Sequence, residues 1–361
     1  MKTHLQDRAL PQFRKRLLAW FRAQQRDLPW RGSRDPYRIW VAEIMLQQTR
    51  IAAVIPYYDR FLQHFPTVES LAAAPQQDVL KLWSGLGYYS RARNLHLAAK
   101  KIVANHDGKF PGKLDAALEL PGIGAYTAAA VLSIAYDQPL AVLDGNVARV
   151  LARIHAIRGD LRIPRTWHTL TETANHLLAR KSASDWNQAL MELGEVICRP
   201  KSPRCLICPV VQSCRAYAEG VTNEIPAPRR KRAPESVIIA AAILLDPQGR
   251  TLLVKDPGAH DHVLFSRMWQ FPAIQVARRA KSELQKYFAE RFALSEIELD
   301  ELPSARHGVT FRHITLLPFL ARVVQLPKIP RTRVIALKSL GKVPISSATR
   351  KLAAAATSHA N

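Results

Sequence analysis

The pattern of apolar and polar positions changes near residue 235. Before that point, apolar side chains recur at helical spacing, as at Phe13, Leu17 and Phe21, and predict amphipathic helices. After it, the nine consecutive apolar residues 237–245 predict a buried strand. A mainly α part is therefore followed by a part that contains strands.

The second part continues with signals for turns, strands and one helix. Residues 246–249 predict a turn, 251–254 a second strand, 278–292 an amphipathic helix, and 309–324 further strands. A short helix and a frayed end are expected over 341–361. This order predicts an α+β domain.

These patterns divide the chain into a helical domain over 1–217, a linker over 218–235 and an α+β domain over 236–361. The linker holds several prolines and the basic run 229–232, which together predict an extended, charged segment. The basic run could serve as a nuclear address, but a phosphate contact or plain solvation is the simpler interpretation.

Prolines are expected to divide the helical domain further. Residues 51–117 predict short helices separated by Pro56, Pro66, Pro75 and Pro111, because proline ends or kinks a helix.

The charge of the chain indicates its partner. Its 361 residues include 52 Lys and Arg against 29 Asp and Glu, a formal net charge of +23. Both domains share the excess, so a polyanion such as nucleic acid is expected to bind.

The first ten residues lack a signal-peptide core, and no run approaches the roughly 18 apolar residues of a membrane span. We therefore expect a cytoplasmic, nucleoid-associated bacterial protein with no membrane partner and with reduced cysteines.

Residues 118–136 predict a helical hairpin. In its turn, of sequence PGIG, Gly122 and Gly124 permit positive backbone dihedral angles and leave amides pointing outward, which can hold a phosphate. A second apolar run follows, and Asp144 comes directly after it, at the predicted start of the next helix. Both features also have plain structural explanations, because PGxG is a common turn and Asp is a favoured helix N-cap.

A helix over 39–46 is apolar on almost every side except for Glu43. A buried carboxylate is costly unless it is protonated or partnered, and a raised proton affinity is what a general acid needs near neutral pH. The plainer alternative is a glutamate that satisfies a buried amide or arginine.

The four cysteines lie in one 17-residue window with the spacing Cys198-x6-Cys205-x2-Cys208-x5-Cys214. Four thiolates at short spacing can bind zinc or a [4Fe–4S] cluster. Zinc ribbons usually show two C-x2-C pairs, whereas this window has one, and a disulfide ranks last in a reducing setting. The spacing itself resembles the cluster motif of a family of iron–sulfur proteins, and that resemblance favours the cluster over zinc. Lys201 and Arg204 would meet phosphates, which makes this region a DNA clamp.

Residues 83–93 combine glycines, aromatic residues and arginines. An apolar tip such as Leu86 or Tyr88 can wedge into a base stack, while Arg91 and Arg93 hold phosphates. Taken alone, the segment is equally a packed turn with a solvated basic face.

Together these motifs resemble the helix-hairpin-helix DNA glycosylases of the endonuclease III-like superfamily. The signature LPGxGxxTA, with Asp144 about twenty residues further on, is typical of that superfamily. The WxxEIMLQQT sequence around Glu43 resembles its adenine-specific branch, and the cysteine spacing resembles that of its cluster. The resemblance implies a mainly α glycosylase of two helical subdomains with a [4Fe–4S] cofactor held by the four cysteines.

The resemblance also implies the chemistry. Glu43 would protonate adenine, and Asp144 would stabilise an oxocarbenium-like sugar electrostatically or through a transient covalent bond. Tyr126 and Asn146 would orient the ring and the carboxylate. Relatives with lyase activity carry a Schiff-base lysine at the position of Tyr126, so this chain is expected to be monofunctional.

Further contacts are carried over from the family. They are adenine contacts at Arg31 and Gln188, probes of the duplex at Gln48 and Thr49, contacts to the strand with the oxidised base at Leu86 and Tyr88, and DNA-backbone contacts at Gly122 and Gly124.

The α+β domain resembles the Nudix-like C-terminal domain of the adenine-specific branch, on its strand order and its Trp-Gln-Phe-Pro segment 269–272. The predicted helix that follows carries only Glu283 and Glu290 as acidic residues before it ends, so pyrophosphatase activity is not expected. Relatives read 8-oxoguanine through a loop that corresponds to 309–311, where Thr310 keeps a hydroxyl.

The expected function is hydrolysis of the N-glycosidic bond of adenine mispaired with 8-oxoguanine or guanine, by a monomer on double-stranded DNA. One alternative is a glycosylase for thymine or uracil opposite guanine, which would share the hairpin, Asp144 and the cluster but typically lack the Glu43 motif. The other is a non-catalytic iron–sulfur DNA-binding protein, in which Asp144 would be dispensable.

Overall fold

A computed structural model of the protein describes residues 8–227, 233–255, 268–309 and 311–359. The chain divides into two compact units, Met1–Ala74 with Ser90–Arg230 and Pro75–Tyr89 with Lys231–Asn361. The sequence did not suggest that the short segment 75–89 would group with the second unit. Among the described residues, no helix has the length and apolar character needed to cross a bilayer.

Helices dominate the described part of the chain up to residue 227. They are α1 (Leu10–Gln24), α2 (Pro36–Leu46), α3 (Ile51–His64), α4 (Val68–Ala73), α5 (Gln76–Leu82), α6 (Tyr89–Asn105), α7 (Leu114–Leu118), α8 (Ala125–Tyr136), α9 (Gly145–Ile154), α10 (Pro164–Leu177), α11 (Ala183–Val196) and α12 (Arg215–Ala218). This confirms the mainly α class predicted for the first part.

Helix α1 shows how the predicted apolar spacing is used. Phe13, Leu17 and Phe21 are fully buried, and α1 packs against α11, where the ring centroids of Phe13 and Trp186 lie 5.8 Å apart. Burying each such side chain contributes about 1.5–3 kcal/mol. The polar positions of α1 stay at the surface, as the pattern predicted.

The prediction that Pro56 separates two helices is wrong, because α3 runs through it. A proline in a helix removes one backbone hydrogen bond and costs about 3 kcal/mol or more. Val54, Tyr58 and Phe61 on the same helix are buried, and the burial of three large side chains outweighs that cost.

Helix α8 is the centre of the helical unit. Ala128 and Ala130 are fully buried and Ala129 is nearly so, and α8 packs against both α2 and α11. Small side chains let neighbouring helices approach closely. The small side chains therefore leave room for both α2 and α11 to pack on α8.

The second unit is built on a mixed sheet. Its strands are β1 (Glu235–Leu245), β2 (Arg250–Lys255), β3 (Trp269–Gln270), β4 (Ala273–Val276), β5 (Asp300–Glu301), β6 (Ala305–Val309), β7 (Arg312–Arg322) and β8 (Thr332–Ala336). Along the sheet the order is β3-β2-β1-β7-β5, with β4 also paired to β1, β6 to β7 and β8 to β2. Strands β1 and β7 are parallel, and the other pairs are antiparallel.

Strand β1 is buried on both faces, as its unbroken apolar run predicted. Its side chains alternate between two clusters: Ile243 and Leu245 lie on the face covered by α14 (Ser347–Thr357), and Ala242 and Leu244 on the face covered by α13 (Ala280–Phe292). This strand, turn, helix and strand order confirms the α+β class and follows the order expected of a Nudix-like domain.

Candidate active site

Helix α2 carries Glu43 into the interior. Asp35 caps the helix by accepting a hydrogen bond from the backbone N–H of Tyr37 at 2.9 Å, and Pro36 occupies its first turn. Every residue from Ile39 to Met45 is buried. Glu43 itself is only 6% exposed, so the carboxylate predicted to be buried is buried.

The environment of Glu43 favours its protonated form. Burial raises the pKa of Glu43 to about 7, a hydrogen bond from Tyr126 partly offsets that effect, and the neighbouring negative charge of Asp144 adds to it. The Tyr126 hydroxyl donates to Oε2 of Glu43 at 2.7 Å. A carboxyl group with a pKa near 7 can hold and release a proton at neutral pH.

Asp144 has two roles in the local structure. It is the N-cap of α9, where its Oδ1 accepts a hydrogen bond from the backbone N–H of Val147 at 2.7 Å. Burial raises the pKa of Asp144, while the amides of Val147 and Asn146 and the charge of Arg149 act in the opposite direction. The capping explanation is therefore correct, and the same carboxylate has a raised pKa.

Arg149 fixes the segment that follows Asp144. Its Nη2 donates to Oδ1 of Asn146 at 3.0 Å and to the carbonyl of Gly194 at 2.8 Å, and its Nε donates to the carbonyl of Cys198 at 2.9 Å. The Asn146 side chain is thus held by an arginine that also holds the start of the cysteine window.

One cleft of about 1420 Å³ in the helical unit collects most of the predicted site. It is lined by eight of the predicted residues: Arg31, Glu43, Gln48, Thr49, Tyr126, Asp144, Asn146 and Gln188. These residues come from five separate stretches of the chain, and the fold brings them together around the two carboxylates.

Glu192 and Arg26 also line the cleft, and the sequence analysis predicted neither of them. Glu192 is buried on α11 and accepts hydrogen bonds from Arg26 at 2.6 and 2.9 Å and from Arg31 at 2.9 Å. Glu192 lies one helical turn after Gln188, a spacing that places both on one face of α11. That spacing was the available signal, but it does not reveal that the two arginines are the partners.

The two glycines of the hairpin turn differ from each other. Gly122 has a φ of +77°, and a Cβ there would lie 2.7 Å from the Cβ of Asn94, so only glycine fits. Gly124 has a φ of −98° and is the N-cap of α8, so of the two glycines only Gly122 adopts the positive dihedral angle that glycine permits. A Cβ on Gly124 would meet nothing within 4 Å, which leaves open space at the start of α8.

The loop predicted over 83–93 is shorter than expected, because α6 begins at Tyr89. Arg91 is not on a solvated face but buried, and its Nη1 donates to the carbonyls of Ile44 and Met45, both at 2.9 Å. It also bonds Gln47 and, at 3.1 Å, the hydroxyl of Thr49. Arg91 therefore satisfies carbonyls at the C-terminal end of α2 instead of holding phosphates there.

Two further predicted residues, Leu86 and Tyr88, are not among those that line the cleft. Leu86 is 8% exposed and Tyr88 is 46% exposed with a φ of +48°, and both belong to the segment 75–89 of the second unit. Thr310 lies outside the described residues.

The four cysteines are partly buried and carry no disulfide. Burial raises the pKa of Cys208 to about 12, and the other three cysteines add to that rise, so the thiols lie within electrostatic range of one another. Nη1 of Arg153 donates to Sγ of Cys198 at 3.3 Å. Within the described ranges, no three Cys, His, Asp or Glu side chains converge closely enough for a single metal ion. An all-thiol donor set beside a buried arginine fits an iron–sulfur cluster in its chemistry.

Comparison with known proteins defines the class to which this site belongs. Residues 41–175 match the family model described as HhH-GPD superfamily base excision DNA repair protein. The structure of a thermostable thymine-DNA glycosylase superposes with a TM-score of 0.54 at 29% sequence identity, and the match covers 59% of this chain and 98% of that one. The helical unit thus has the fold of this superfamily of DNA glycosylases.

Curated relatives narrow the class. Adenine DNA glycosylase of Mus musculus is 35% identical over 356 residues, 84% of this chain and 69% of the mouse protein. The Homo sapiens protein of the same name is 45% identical over 365 residues, 84% of this chain and 65% of the human protein. This chain spans about two thirds of the length of these two relatives. It belongs to the adenine DNA glycosylases of the HhH-GPD superfamily, which confirms the resemblance found in the sequence.

Proposed function

We propose that the protein hydrolyses the N-glycosidic bond of adenine in DNA, at sites where adenine is mispaired with 8-oxoguanine or guanine. The observation that carries the proposal is the pair of carboxylates in one cleft, with Glu43 buried at a pKa of about 7 beside Asp144 at a helix N-terminus. Two carboxyl groups in opposite protonation states are the usual requirement for breaking a glycosidic bond.

Glu43 acts as the general acid. Adenine is a poor leaving group until a ring nitrogen is protonated, and with a pKa of about 7 a large fraction of Glu43, about half, still carries its proton near pH 7. The Tyr126 hydroxyl, 2.7 Å from Oε2, fixes the orientation of the carboxyl group. The proton moves from Glu43 to the base as the bond to the sugar lengthens.

Asp144 acts on the sugar. Loss of the base leaves positive charge on the ring, and an ionised Asp144 stabilises it electrostatically or through a transient covalent bond. The backbone N–H of Val147 binds the ionised form at 2.7 Å and keeps the carboxylate oriented. Arg149 in turn orients Asn146 at 3.0 Å.

The reaction stops at the abasic site. Strand cutting by Schiff-base chemistry needs an amine at the position that Tyr126 occupies. The Tyr126 hydroxyl donates to Glu43 and faces Sδ of Met191 at 3.6 Å. A phenol has no amine nitrogen and cannot form a Schiff base, so hydrolysis is the whole reaction.

The partner is double-stranded DNA with an adenine mispair, bound by a monomer in the bacterial cytoplasm. The net charge of +23 supports binding through phosphates. The open space before α8 at Gly124 is suited to a close approach of the DNA backbone. Adenine must leave the base stack to reach the buried Glu43, at a cost of a few kcal/mol that is smallest at a mispair.

The cofactor is a [4Fe–4S] cluster held by Cys198, Cys205, Cys208 and Cys214. Bound there, the group would supply structural and not redox chemistry: the four cysteines would be tied together, and Lys201 and Arg204 in their window would meet phosphates. The readout is elemental analysis of the purified protein, with about four iron and four sulfide expected per chain from the cluster formula. Zinc in place of iron would contradict the assignment.

The test of the activity is single-turnover cleavage of duplexes that hold adenine opposite 8-oxoguanine, guanine or thymine, read with and without alkali. Alkali-dependent breakage at adenine opposite 8-oxoguanine supports a monofunctional glycosylase. The ratio to the guanine duplex reports whether the loop with Thr310 reads the lesion. Duplexes with thymine or uracil opposite guanine are the comparison, since one structural relative is a thymine-DNA glycosylase. Cleavage of those alone would contradict the proposal.

A further inference from the structure

Glu192, Arg26 and Arg31 form an ion cluster. The reaction described above gives no role to Glu192 or Arg26, and Arg31 enters it only as an adenine contact that the resemblance implies. Glu192 lies on α11 with its side chain only 1% exposed. Its Oε1 and Oε2 accept from Nε and Nη2 of Arg26 at 2.6 and 2.9 Å, and Oε2 also accepts from Nη2 of Arg31 at 2.9 Å. All three residues line the cleft that holds Glu43 and Asp144.

Glu192 remains charged in this position. Burial alone would raise the pKa of Glu192, but hydrogen bonds and charges from Arg26 and Arg31 outweigh burial and lower it. Two guanidinium groups side by side would otherwise repel each other. One carboxylate between them leaves a cluster of net charge +1 and sets the position of both arginines.

Arg31 is held on several sides, and its Nε–H is the buried donor that these contacts do not use. Nη2 is bound to Glu192, Nη1 donates to the carbonyl of Arg26 at 3.3 Å, and the guanidinium lies 5.3 Å from the ring centre of Phe21. Nε of Arg31 is buried and, among the described residues, has no hydrogen-bond partner. A buried donor without a partner is costly, and a ligand acceptor in the cleft would remove that cost.

We propose that Glu192 is a positioning residue, whose carboxylate fixes the Arg31 guanidinium in the cleft and keeps its Nε–H available to an acceptor nitrogen of the extruded adenine. The inference rests on the proposed function, since it takes adenine as the base that enters. Adenine offers ring-nitrogen acceptors to such a donor. Arg26 compensates the buried charge, and Glu192 acts on the base only through Arg31.

The test is a double-mutant cycle of Glu192→Gln and Arg31→Met, measured as single-turnover release of adenine opposite 8-oxoguanine. Misplacement of a contacting group by about 1 Å can cost about 100-fold, so Glu192→Gln should lower the rate about 10- to 100-fold. Because Glu192 acts through Arg31, the double variant should be no slower than Arg31→Met alone. A near-native rate for Glu192→Gln, or a loss that multiplies with that of Arg31→Met, would overturn the proposal.

Measurements of DNA affinity distinguish a positioning role of Glu192 from a general effect of the substitution on the protein–DNA complex. Affinity for a cleavage-resistant duplex depends mainly on phosphates, so Glu192→Gln should change Kd less than about threefold. A fall in affinity as large as the fall in rate would overturn the proposal. Asp185→Asn is the matched control, because it removes an exposed carboxylate–arginine pair between α11 and Arg22 and should leave the rate unchanged.

A second variant serves as the control for misfolding of Glu192→Gln. Glu192→Gln leaves two partly buried cations without their carboxylate, whereas Arg26→Gln with Glu192→Gln restores the net charge of +1. This double variant should fold and still lose about tenfold or more in rate, because Arg31 is no longer held. A native rate in it would overturn the proposal. The unmodified protein reports on the proposed function separately, since failure to release adenine from any duplex contradicts that function whatever the variants do.

Discussion

The two units of the protein treat buried charge differently. Among the described residues, the helical unit buries Glu43, Arg91, Arg149, Arg153 and Glu192, whereas the α+β unit buries one charged side chain, Asp246. Asp246 bonds Arg250 at 2.7 Å within its own turn and serves that turn. Burying charge is costly, and three of these five residues, Glu43, Arg149 and Glu192, line one cleft. The helical unit is therefore the part where chemistry is expected.

The sharpest test of this contrast is Asp144→Asn. Asparagine caps a helix about as well as aspartate, so the stability of α9 should change by less than about 1 kcal/mol. The loss of the charge opposite the sugar should lower the rate about 1000-fold or more, as removal of a single electrostatic stabiliser does in other enzymes. Single-turnover kinetics and thermal melting of the same variant measure the two effects, and a rate within tenfold of native would make Asp144 a cap alone.

Glu43→Gln should separate activity from stability. Gln cannot donate the proton, so a loss of about 100-fold or more is expected. The pKa of Glu43 in the folded protein, about 7, lies above the ordinary 4.5. Its contribution to stability is therefore complete below about pH 4.5 and lost as the pH rises through 7.

Since glutamine carries no such penalty, Glu43→Gln should be the more stable protein at pH 8, by on the order of 3 kcal/mol. The difference should shrink toward pH 5. Denaturant unfolding at the two pH values measures it, and equal stability of both proteins at pH 8 would mean that Glu43 is not strained by burial.

Arg91→Met tests whether Arg91 holds the C-terminal end of α2, the helix that carries Glu43. It removes the donors to the carbonyls of Ile44 and Met45, and unsatisfied buried acceptors cost about 1–3 kcal/mol each. We expect lower stability and a rate reduced about tenfold, because the end of α2 is less fixed. Lys100→Met, at an exposed position of the same helix, is the control and should change neither.

The α+β unit should give the smallest effect on chemistry. Phe288 on α13 is fully buried between the helix and the sheet, and Phe288→Leu should cost about 1–2 kcal/mol of stability. The rate on adenine opposite guanine should stay within about threefold of native. A large loss of rate at full folding would show that the contrast between the units is wrong.

The sequence was sufficient for the groups whose signal is local. Glu43 stands out as a lone carboxylate in an apolar helix, and Asp144 as a cap after a hairpin. Strand β1 follows directly from its apolar run. Each of these depends on neighbours within a few residues, so periodicity and turn chemistry are enough.

Contacts between residues that are distant in sequence could not be predicted. Arg26 and Arg31 meet Glu192 across more than 160 residues, and Arg91 meets α2 across more than 40. Nothing local distinguishes these arginines from solvated ones. The prediction that Pro56 separates two helices was wrong for a related reason, because the tertiary burial of α3 overrides the local preference of proline.

The pH dependence of the single-turnover rate tests the central claim most directly. The claim requires Glu43 protonated and Asp144 ionised in one cleft. The rate on adenine opposite 8-oxoguanine should therefore fall as the pH rises through about 7, and fall again at acid pH, above the ordinary range of an aspartate because the pKa of Asp144 is raised. A rate that stays constant from pH 5 to 9 would contradict the account.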